Sequence, residues 1–562
     1  MIEILQTYLQ KIFIECGFDY DIRIIKSNRL DLCDYQCDDA FKLAKLYKQS
    51  PIIIGKNIVD KINEQKDFEN YFEEVNLVNG FINIKVSSKL INKVLESMYT
   101  KENFNLPKPK KQELFFLDYG GPNIAKPLHV GHLRTAIIGE SIKRIINFSG
   151  HKTICDVHLG DYGLQIGEVI YAILRDNISI EDITLDYLNE AYPKMSKLCK
   201  ENEEILKECA LITKELQEGN IEYNKLWKKI YEISLNDIKK IYKFLDVSFD
   251  LWLGESDSYK YIDKVSEELE SKNLLEDSDG AKVIRVSMDD DKIDIPPLIY
   301  QKSNKAYLYG TTDIATIYER VHKYSPNHII YVTDARQSLH FTQVFRACNL
   351  WGITKDINLI HIGYGTVNGS DGKPFKTRDG DAASLSSLLN QVKEAFIETK
   401  EDNQNMTEED LNIITNSIIK FADLQNNFER DYIFDIKKFS EVVGKTGPYI
   451  LYTYLRLNKV INNYAKDYKP FNEFCYNDRN LRLKLLELPI VINNAFKDKM
   501  PSYIAEYVYE LSTIANTFYQ NNYISTQEDE TIKEQWLKLL DLTIKIIKTL
   551  LDLLVIKIPS KM

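Results

Sequence analysis

The spacing of hydrophobic and polar residues divides the chain into a mixed N-terminal part, a strand-rich middle and a helical C-terminal part. Over about the first hundred residues, helical periodicity alternates with short strand patterns such as GFINIKV at 80–86. This part ends at LPKPKKQ, residues 106–112, because a proline- and lysine-rich stretch continues neither a helix nor a central strand. We therefore predict an N-terminal α/β module over residues 1–109.

The middle of the chain has the pattern of a parallel nucleotide-binding sheet. A buried-strand pattern, ELFFLDYGG, is followed by isoleucines at helical spacing and then by a second strand, KTICDVHLG. Strand, loop, helix and strand open such a sheet. Residues of about 180–245 are helical and densely charged, and strand patterns return as far as NLIHIGYGTV. We predict a Rossmann-like parallel-sheet domain over 110–385, with a helical insertion at about 180–245.

From Thr407 onward nearly every segment has the pattern of an amphipathic helix. This pattern predicts a helical connector over 386–440 and an all-α bundle over 441–562. The expected fold class is therefore an α/β multidomain protein with a parallel-sheet core, an N-terminal α/β module and a C-terminal helix bundle.

Composition restricts the classes of partner. Of the 562 residues, 44% are hydrophobic and 28% charged, which is typical of a soluble protein with several domains. The net charge of −11 argues against a general nucleic-acid coat, but a specific nucleic-acid partner can still be bound by local Lys/Arg clusters. No apolar run approaches the roughly 20 residues of a membrane span, and the first residues resemble an amphipathic helix more than a signal peptide. We expect no membrane partner.

The eight cysteines are scattered, and only Cys33 and Cys37 are close together. These two have neither a second cysteine pair nor a histidine nearby, so the pattern is not that of a zinc site. We expect free thiols in a reducing cytoplasm and no structural metal.

The run PLHVGH at 127–132 is the strongest chemical motif, because it places two histidines three residues apart at the start of a predicted helix. His129 and His132 then lie near each other and beside free backbone N–H groups, where the helix dipole favours an anion. They can donate to phosphates as charge develops in a transition state. Gly131 leaves room for a flat base on the backbone. A lone histidine in a turn is usually a cap or a solvated residue, but a pair after a strand favours the phosphate site.

HVGH resembles the HIGH signature of class I aminoacyl-tRNA synthetases, and the longer run PNIAKPLHVGHLRTAIIGE resembles the version found in arginyl-tRNA synthetases. The similarity continues in order through residues 158–167, 307–315, 334–343 and 371–380 to the terminal IPSKM. The resemblance covers essentially the whole chain.

The resemblance implies ATP-dependent ligation of L-arginine to its tRNA through an arginyl-adenylate, with Mg²⁺ neutralising the phosphates. It also implies a monomer whose N-terminal module contacts the tRNA elbow and whose bundle binds the anticodon stem and loop. Residues 447–459, where aromatic and basic residues alternate, are the expected RNA-binding face, although a tyrosine stripe is more often core.

Two stretches compete for the KMSKS loop of this class. A literal Lys-Met-Ser-Lys stands at 194–197, but it lies inside the helical insertion, with no strand before it and no glycine to let it flex. GTVNGSDGKPFKTRDGD follows a strand and is rich in glycine. There Lys373, Lys376 and Thr377 match the two lysines and the final hydroxyl of the pattern, whereas Pro374 and Phe375 depart from it. We assign the loop to this second stretch and expect 194–197 to be a solvated helical face.

The family also implies a helper lysine and an arginine pocket. Lys126 resembles a lysine that contacts phosphate when the loop is degenerate, with an ordinary surface lysine as the alternative. The positions that match the family's arginine-binding residues are Asp118, Asn123, His129, Tyr309, Asp313 and Gln337. A guanidinium has five donors and no acceptor, so carboxylates are the expected partners. Taken singly, Asp118 and Asp313 would more often be a helix cap or a salt bridge.

Some features depart from the family pattern or leave alternatives open. Thr312 stands where many relatives have arginine, and Gly120 and Gly121 replace small hydroxyl residues, although neither change removes a proposed ligand. Three further residues either line the site or tie the second strand to the insertion, with the structural role favoured: His158, Asp161 and Gln165. The rival functions are an adenylate-forming enzyme without tRNA and an RNA-binding or amino-acid-sensing paralogue without aminoacylation.

The two candidate loops can be separated by a paired substitution. We expect Lys376→Ala to cripple adenylate formation, and the double variant Lys194→Ala, Lys197→Ala to leave it nearly intact. Arginine-dependent exchange of pyrophosphate into ATP measures the step. Reversed results would place the loop at 194–197.

Overall fold

Four parallel strands form the sheet in the middle segment of the chain. In a computed structural model that describes residues 1–29, 31–126, 128–369, 371–373, 385–399 and 406–562, the strand order is Asn358–Tyr364, His328–Asp334, Leu114–Tyr119, Lys152–Asp156. Every neighbouring pair is parallel. The Rossmann-like core is thus confirmed. Ligands of such sheets bind at the carboxyl ends of the strands, and here those ends meet at one edge.

The helix Val130–Phe148, called the histidine helix below, packs directly on this sheet. Its isoleucines at 137, 138, 142, 145 and 146 are all buried, as their spacing predicts. Gly139 permits the close approach, because a β-carbon there would overlap the side chain of Tyr119 on the first strand. The start of the helix therefore lies at the carboxyl edge of the sheet.

The insertion is helical, as the charge pattern predicts. The helix Leu164–Arg175 precedes it, and within the predicted bounds lie Leu185–Glu201, Glu203–Gln217 and Ile221–Phe244. Residues 194–197 lie in the second of these, where Met195 is buried and Lys194 pairs with Glu190, four residues before it. Both side chains of that pair are about two-thirds exposed or more, at 67% and 71%. The literal tetrapeptide is therefore part of a regular helix with a solvated face, as expected.

The chain divides into two units by its internal contacts. The second unit comprises Lys108–Tyr449, Ala495–Ala505 and Leu551–Met562. Besides the sheet and the helices above it contains an antiparallel sheet of Glu276–Ser278, Ala281–Ile284 and Leu298–Gln301, and the parallel pair Val367–Asn368 with Tyr432–Ile433. Its further helices are Glu255–Ser258, Ile262–Ser271, Tyr309–Tyr324, Ser338–Trp351, Leu385–Glu398, Glu408–Leu424 and Ile436–Ser440.

The first unit joins the N-terminal segment to two segments of the C-terminal part: Met1–Pro107, Ile450–Asn494 and Glu506–Leu550. The N-terminal part is the predicted α/β module, with an antiparallel sheet of Ile25–Lys26, Tyr35–Cys37, Phe81–Val86 and Phe72–Val78 in that order. Its helices are Ile2–Glu15, Ala40–Tyr47, Pro51–Asn63, Phe68–Tyr71 and Ser88–Thr100. The C-terminal helices are Gly447–Ile461, Arg479–Leu485, Leu488–Asp498, Ser502–Asn521 and Glu530–Leu553.

Buried polar contacts hold the two ends together within the first unit. Arg482 donates to the side chain of Asn92 at 2.6 Å, and the ammonium of Lys538, 2% exposed, lies 2.6 Å from Glu96. Tyr99 donates to Asp541 at 2.8 Å. All eight cysteines are free thiols. Among the described residues, no helix combines the length and the apolar character needed to cross a membrane.

Candidate active site

The two histidines fix each other's orientation at the start of the histidine helix. The backbone N–H of Gly131 donates to Nδ1 of His129 at 3.1 Å, and the N–H of His129 donates to Nδ1 of His132 at 3.2 Å. The rings stack with their centres 3.8 Å apart. Because each Nδ1 accepts a hydrogen bond, the proton of each neutral ring is on Nε2. The pair therefore presents two N–H donors beside the open end of a helix.

Both rings are neutral at physiological pH. Burial, followed by the charges of Lys126 and Arg336, lowers the pKa of His129. Burial, with His129 and Lys126 adding to it, lowers the pKa of His132 to about 3. A neutral imidazole still donates from Nε2, so the pair can bind a phosphate oxygen without taking up a proton first.

Gly131 has a local structural role. A β-carbon at this position would lie 2.9 Å from Cε1 and 3.0 Å from Nδ1 of His129. Any other residue would displace the His129 ring from its capping position. Whether a base also lies on this backbone remains a prediction.

An aromatic side chain of the insertion contacts Lys126. Its ammonium lies 4.5 Å from the ring centre of Tyr192, a cation–π contact. Tyr192 belongs to the helix Leu185–Glu201, which also contains residues 194–197. The insertion helix thus contributes to the site through an aromatic ring, two residues before the misleading tetrapeptide.

The segment after the last sheet strand leads to Lys373. Within it, the N–H of Gly369 donates to the carbonyl of Lys373 at 2.8 Å, and the N–H of Lys373 donates to Asp371 at 3.1 Å. Lys373 is exposed. Lys376 and Thr377 lie outside the described residues, as do Pro374, Phe375 and Pro127.

A buried charge cluster stands at the ends of two neighbouring strands. Asp118 and Asp156 are directly paired in register, and Arg320 donates to Asp118 at 2.6 Å and to Asp156 at 3.0 Å. His158 Nδ1 lies 3.3 Å from Asp156. Asp118 is therefore in an internal salt bridge, the alternative that the sequence left open. Its contact with a substrate remains a prediction.

The pKa values in this cluster follow from its charges. Burial disfavours a charged His158, but the bond with Asp156 and the charge of Asp118 outweigh it and raise the pKa of His158 to about 9. Burial raises the pKa of Asp118, and Arg320 and His158 oppose that shift. Within the described part of the chain, Asp118, Asp156 and His158 are the one group close enough to hold a metal ion. The Arg320 guanidinium already supplies positive charge there.

Asp161 and Gln165 tie neighbouring segments together. Asp161 accepts from the backbone N–H of Ser256 at 3.0 Å and from its hydroxyl at 2.6 Å, while Trp227 of the insertion donates to the Asp161 carbonyl at 2.8 Å. Gln165 donates to the Gly160 carbonyl at 3.3 Å. These contacts support the structural role for both residues.

The loop with Asn123 lies against the end of the second strand. The N–H of Ile124 donates to the Gly160 carbonyl at 3.0 Å. A β-carbon on Gly121 would lie 2.6 Å from the His158 carbonyl oxygen, so the glycine permits this close approach. Behind the loop, the Ala125 N–H donates to Ser234 of the insertion at 3.0 Å.

The remaining predicted ligands lie on two helix starts. Tyr309, a residue that is 58% exposed, opens the helix Tyr309–Tyr324, and Asp313 lies one turn later. Gln337 is exposed at the start of Ser338–Trp351. From that second helix, His340 Nε2 lies 2.5 Å from Asp313 Oδ2. Burial works against a charged His340, but the bond with Asp313 raises its pKa.

Sequence reasoning missed His340 and Glu255. Glu255 is half-buried, and burial raises its pKa to about 8, with Asp161 and Asp313 adding to the shift and His158 opposing it. It follows Gly254, which bridges to Leu159 at the end of the second strand. His340 lies in the stretch 334–343 that resembles the family, but nothing local in either segment indicates a relation to Asp313.

Comparison with known proteins gives a consistent result along the chain. Residues 93–436 match the model for "tRNA synthetases class I (R), catalytic domain". Residues 1–86 match "Arginyl tRNA synthetase N terminal domain" and 450–562 match "DALR anticodon binding domain".

Individual relatives agree with the family models. The arginine--tRNA ligase of Alkaliphilus oremlandii is 39% identical, with all of both chains covered, and that of Francisella tularensis is 37% identical over 99% of each. Among solved structures, the arginyl-tRNA synthetase of Plasmodium falciparum matches with a TM-score of 0.81 and 28% identity, covering 100% of this chain and 99% of that one. The Thermus thermophilus arginyl-tRNA synthetase, at 21% identity with both chains fully covered, has the same fold with a TM-score of 0.79.

The His158 charge predicts a pH dependence of stability. Its pKa in the folded protein lies above the value of about 6.5 in an unfolded chain, so the stabilisation is complete below pH 6.5 and is lost as the pH rises through 9. The shift corresponds to about 3 kcal/mol. Between pH 6.5 and 10, the melting temperature of the wild type should therefore fall more than that of His158→Gln, as measured by calorimetry.

His151→Gln is the matched control, because burial lowers the pKa of His151 and puts its titration below this range. An equal fall in the wild type and in His158→Gln would show that His158 is not charged in the folded protein.

Proposed function

This chain belongs to the arginyl-tRNA synthetases of class I, and from that premise we infer that it ligates L-arginine to its cognate tRNA at the expense of ATP. The observation that carries this function is the pair of Nε2–H donors at a helix start, at the carboxyl edge of a parallel sheet. The match to the family over the full length of the chain supports this inference, because the site is accompanied by the family's N-terminal domain and by its anticodon-binding domain.

In the first step the carboxylate of arginine attacks the α-phosphorus of ATP. The bond from that phosphorus to the bridging oxygen breaks, and pyrophosphate leaves. The Nε2–H groups of His129 and His132 donate to phosphate oxygens as charge develops, with help from the helix dipole. Lys373, Lys376 and Lys126 neutralise the triphosphate, and Thr377 adds a hydroxyl contact. ATP enters as its Mg²⁺ complex, with the ion part of the substrate.

In the second step a hydroxyl of the terminal ribose of the tRNA attacks the carbonyl carbon of arginyl-adenylate, and AMP leaves. The protein forms no covalent bond in either step. Its contribution is to position the reacting groups and to stabilise developing charge.

The arginine side chain is recognised by carboxylates and by the ring of Tyr309. Asp313 uses Oδ2 for His340, and Oδ1 accepts from the guanidinium. Glu255 is the second acceptor: it is half-buried beside Asp313, and a bound cation would favour its ionised form. Asp118 contributes negative charge to the pocket. Asn123 and Gln337 hold the amino and carboxylate ends of the amino acid.

Each domain has its own role in this reaction. Residues 110–385 form the catalytic domain, 386–440 the connector and 441–562 the anticodon-binding bundle, while 1–109 contacts the elbow of the tRNA. Within residues 447–459, the predicted RNA-binding face of the bundle, Tyr452 and Lys459 are exposed and can contact RNA, whereas Tyr454 is buried in the core. The enzyme works as a monomer in the cytoplasm, in keeping with its free thiols.

Pyrophosphate exchange tests the function directly. We expect arginine, and no other natural amino acid, to drive exchange in the complete system, and the same protein to charge tRNA with arginine. Exchange without charging would indicate an adenylate-forming enzyme that does not use tRNA. Arginine or tRNA binding with neither activity would indicate a sensing paralogue.

Asp313→Asn tests the amino-acid pocket, because it keeps size and one acceptor but removes the charge that balances the guanidinium. Leaving that cation under-compensated should cost on the order of 2–5 kcal/mol. The KM for arginine should rise accordingly while the KM for ATP changes little. Asp118→Asn should also lower the melting temperature, because it weakens the buried pair with Arg320.

Citrulline, an uncharged near-isostere of arginine, is the control. Its already poor use should worsen less than that of arginine in Asp313→Asn. Equal losses for both substrates would mean that Asp313 holds the fold and does not read the guanidinium.

A further inference from the structure

Arg134 is a buried cation on the histidine helix, two residues after His132. Its side chain is 1% exposed and its Nε lies 2.9 Å from Oδ2 of Asp423, which is equally buried. Nη1 donates to the carbonyl of Gly365, and Nη2 donates to the carbonyl of Phe428 at 3.4 Å. One guanidinium therefore contacts three separate segments of the chain.

Two of those segments lie where the chain leaves the sheet and continues toward Lys373. Gly365 directly follows the strand Asn358–Tyr364, and Phe428 accepts from the Gly365 N–H at 2.9 Å. Just beyond them, Val367–Asn368 pairs in parallel with Tyr432–Ile433. A β-carbon on Gly365 would lie 2.6 Å from the backbone of Arg430, so these backbones are in close contact. The chain then reaches Lys373 within five residues.

Two tyrosines enclose the guanidinium. Its carbon lies 5.5 Å from the ring centre of Tyr364 and 5.2 Å from that of Tyr432. The hydroxyl of Tyr364 also donates to the Gly131 carbonyl at 3.3 Å, and that of Tyr432 donates to Asp423 at 3.2 Å. The contact with Gly131 reaches the first turn of the histidine helix, between the two histidines.

We propose that Arg134 is a positioning residue that sets the spacing between the histidine pair and the segment leading to Lys373. The inference rests on the proposed function, in which these two sides hold one ATP. A planar guanidinium donates in fixed directions, so it can hold a carboxylate and two carbonyls in one arrangement, which a lysine ammonium cannot reproduce. A shift of about 1 Å in such an arrangement can cost roughly 100-fold in rate.

The chain offers a matched control in Arg346. This residue also joins an aspartate and a backbone carbonyl: it pairs with both oxygens of Asp291 at 2.6 Å and donates to Val286 at 3.0 Å. It lies in the same unit but belongs to the helix Ser338–Trp351 and has no contact with the histidine helix among those described. Losing it removes a similar set of bonds without touching the phosphate side of the site.

The test compares Arg134→Lys, Arg134→Gln and Arg346→Gln in arginine-dependent pyrophosphate exchange, with melting temperatures measured in parallel. Arg134→Lys keeps a positive charge beside Asp423. For this variant we expect kcat to fall at least about 10-fold and the KM for ATP to rise. The KM for arginine should stay within about 2-fold of the wild type. Arg134→Gln should lose more if it folds. Arg346→Gln should keep all three constants near wild type even where its melting temperature falls.

Two outcomes overturn the proposal. One is a kcat and a KM for ATP in Arg134→Lys that equal those of the wild type. The other is an equal rise in the KM values for ATP and arginine, which would indicate a general structural role. The variant His132→Ala distinguishes a failure of the Arg134 proposal from a failure of the proposed function. It should lose roughly 100-fold or more of its activation. Near-normal activity of His132→Ala would refute the phosphate role of the histidines themselves, whatever the Arg134 variants do.

Discussion

The guanidinium of Arg320 holds together the edge of the sheet on which the site is built. Asp118 and Asp156 stand side by side in register on neighbouring parallel strands, and two like charges in this arrangement repel. Arg320 bonds to both, and a charged His158 adds a second positive charge. Removing the cation would leave two carboxylates buried, at a cost on the order of 3–5 kcal/mol. The loop with Asn123 and the turn after the second strand both depend on this edge.

The sequence predicts those parts of the structure whose signals are local. Isoleucine spacing predicts the histidine helix, and the order of strand and helix patterns predicts the parallel sheet. The position of 194–197 within charged helical periodicity correctly indicates a helix. Local pattern cannot predict which distant residue neutralises a buried charge: Arg320 is 202 positions from Asp118. His340 and Glu255 were missed for the same reason, since their relation to Asp313 exists only after folding.

The glycines of the motifs show the same limit of prediction from local sequence. The missing side chain of Gly131 suggests room for a ligand, whereas the structure gives the glycine a reason within the protein, the ring of His129. Gly121 and Gly139 likewise permit close contact with a backbone carbonyl and an aromatic ring. The contacts of Gly121 and Gly139 join segments that no short motif contains, so sequence spacing can locate such a glycine without revealing what it accommodates.

The first unit is assembled from N-terminal and C-terminal segments, and this has a consequence for folding during synthesis. Asn92 and Glu96 find their partners, Arg482 and Lys538, nearly four hundred residues or more later. At a translation rate of roughly 5–20 residues per second, the nascent N-terminal module waits about 20 to 90 seconds before those partners emerge. During that interval it must either stand alone with these polar groups hydrated or be shielded by a chaperone. Premature termination before residue 538 would leave it permanently without at least one of these partners.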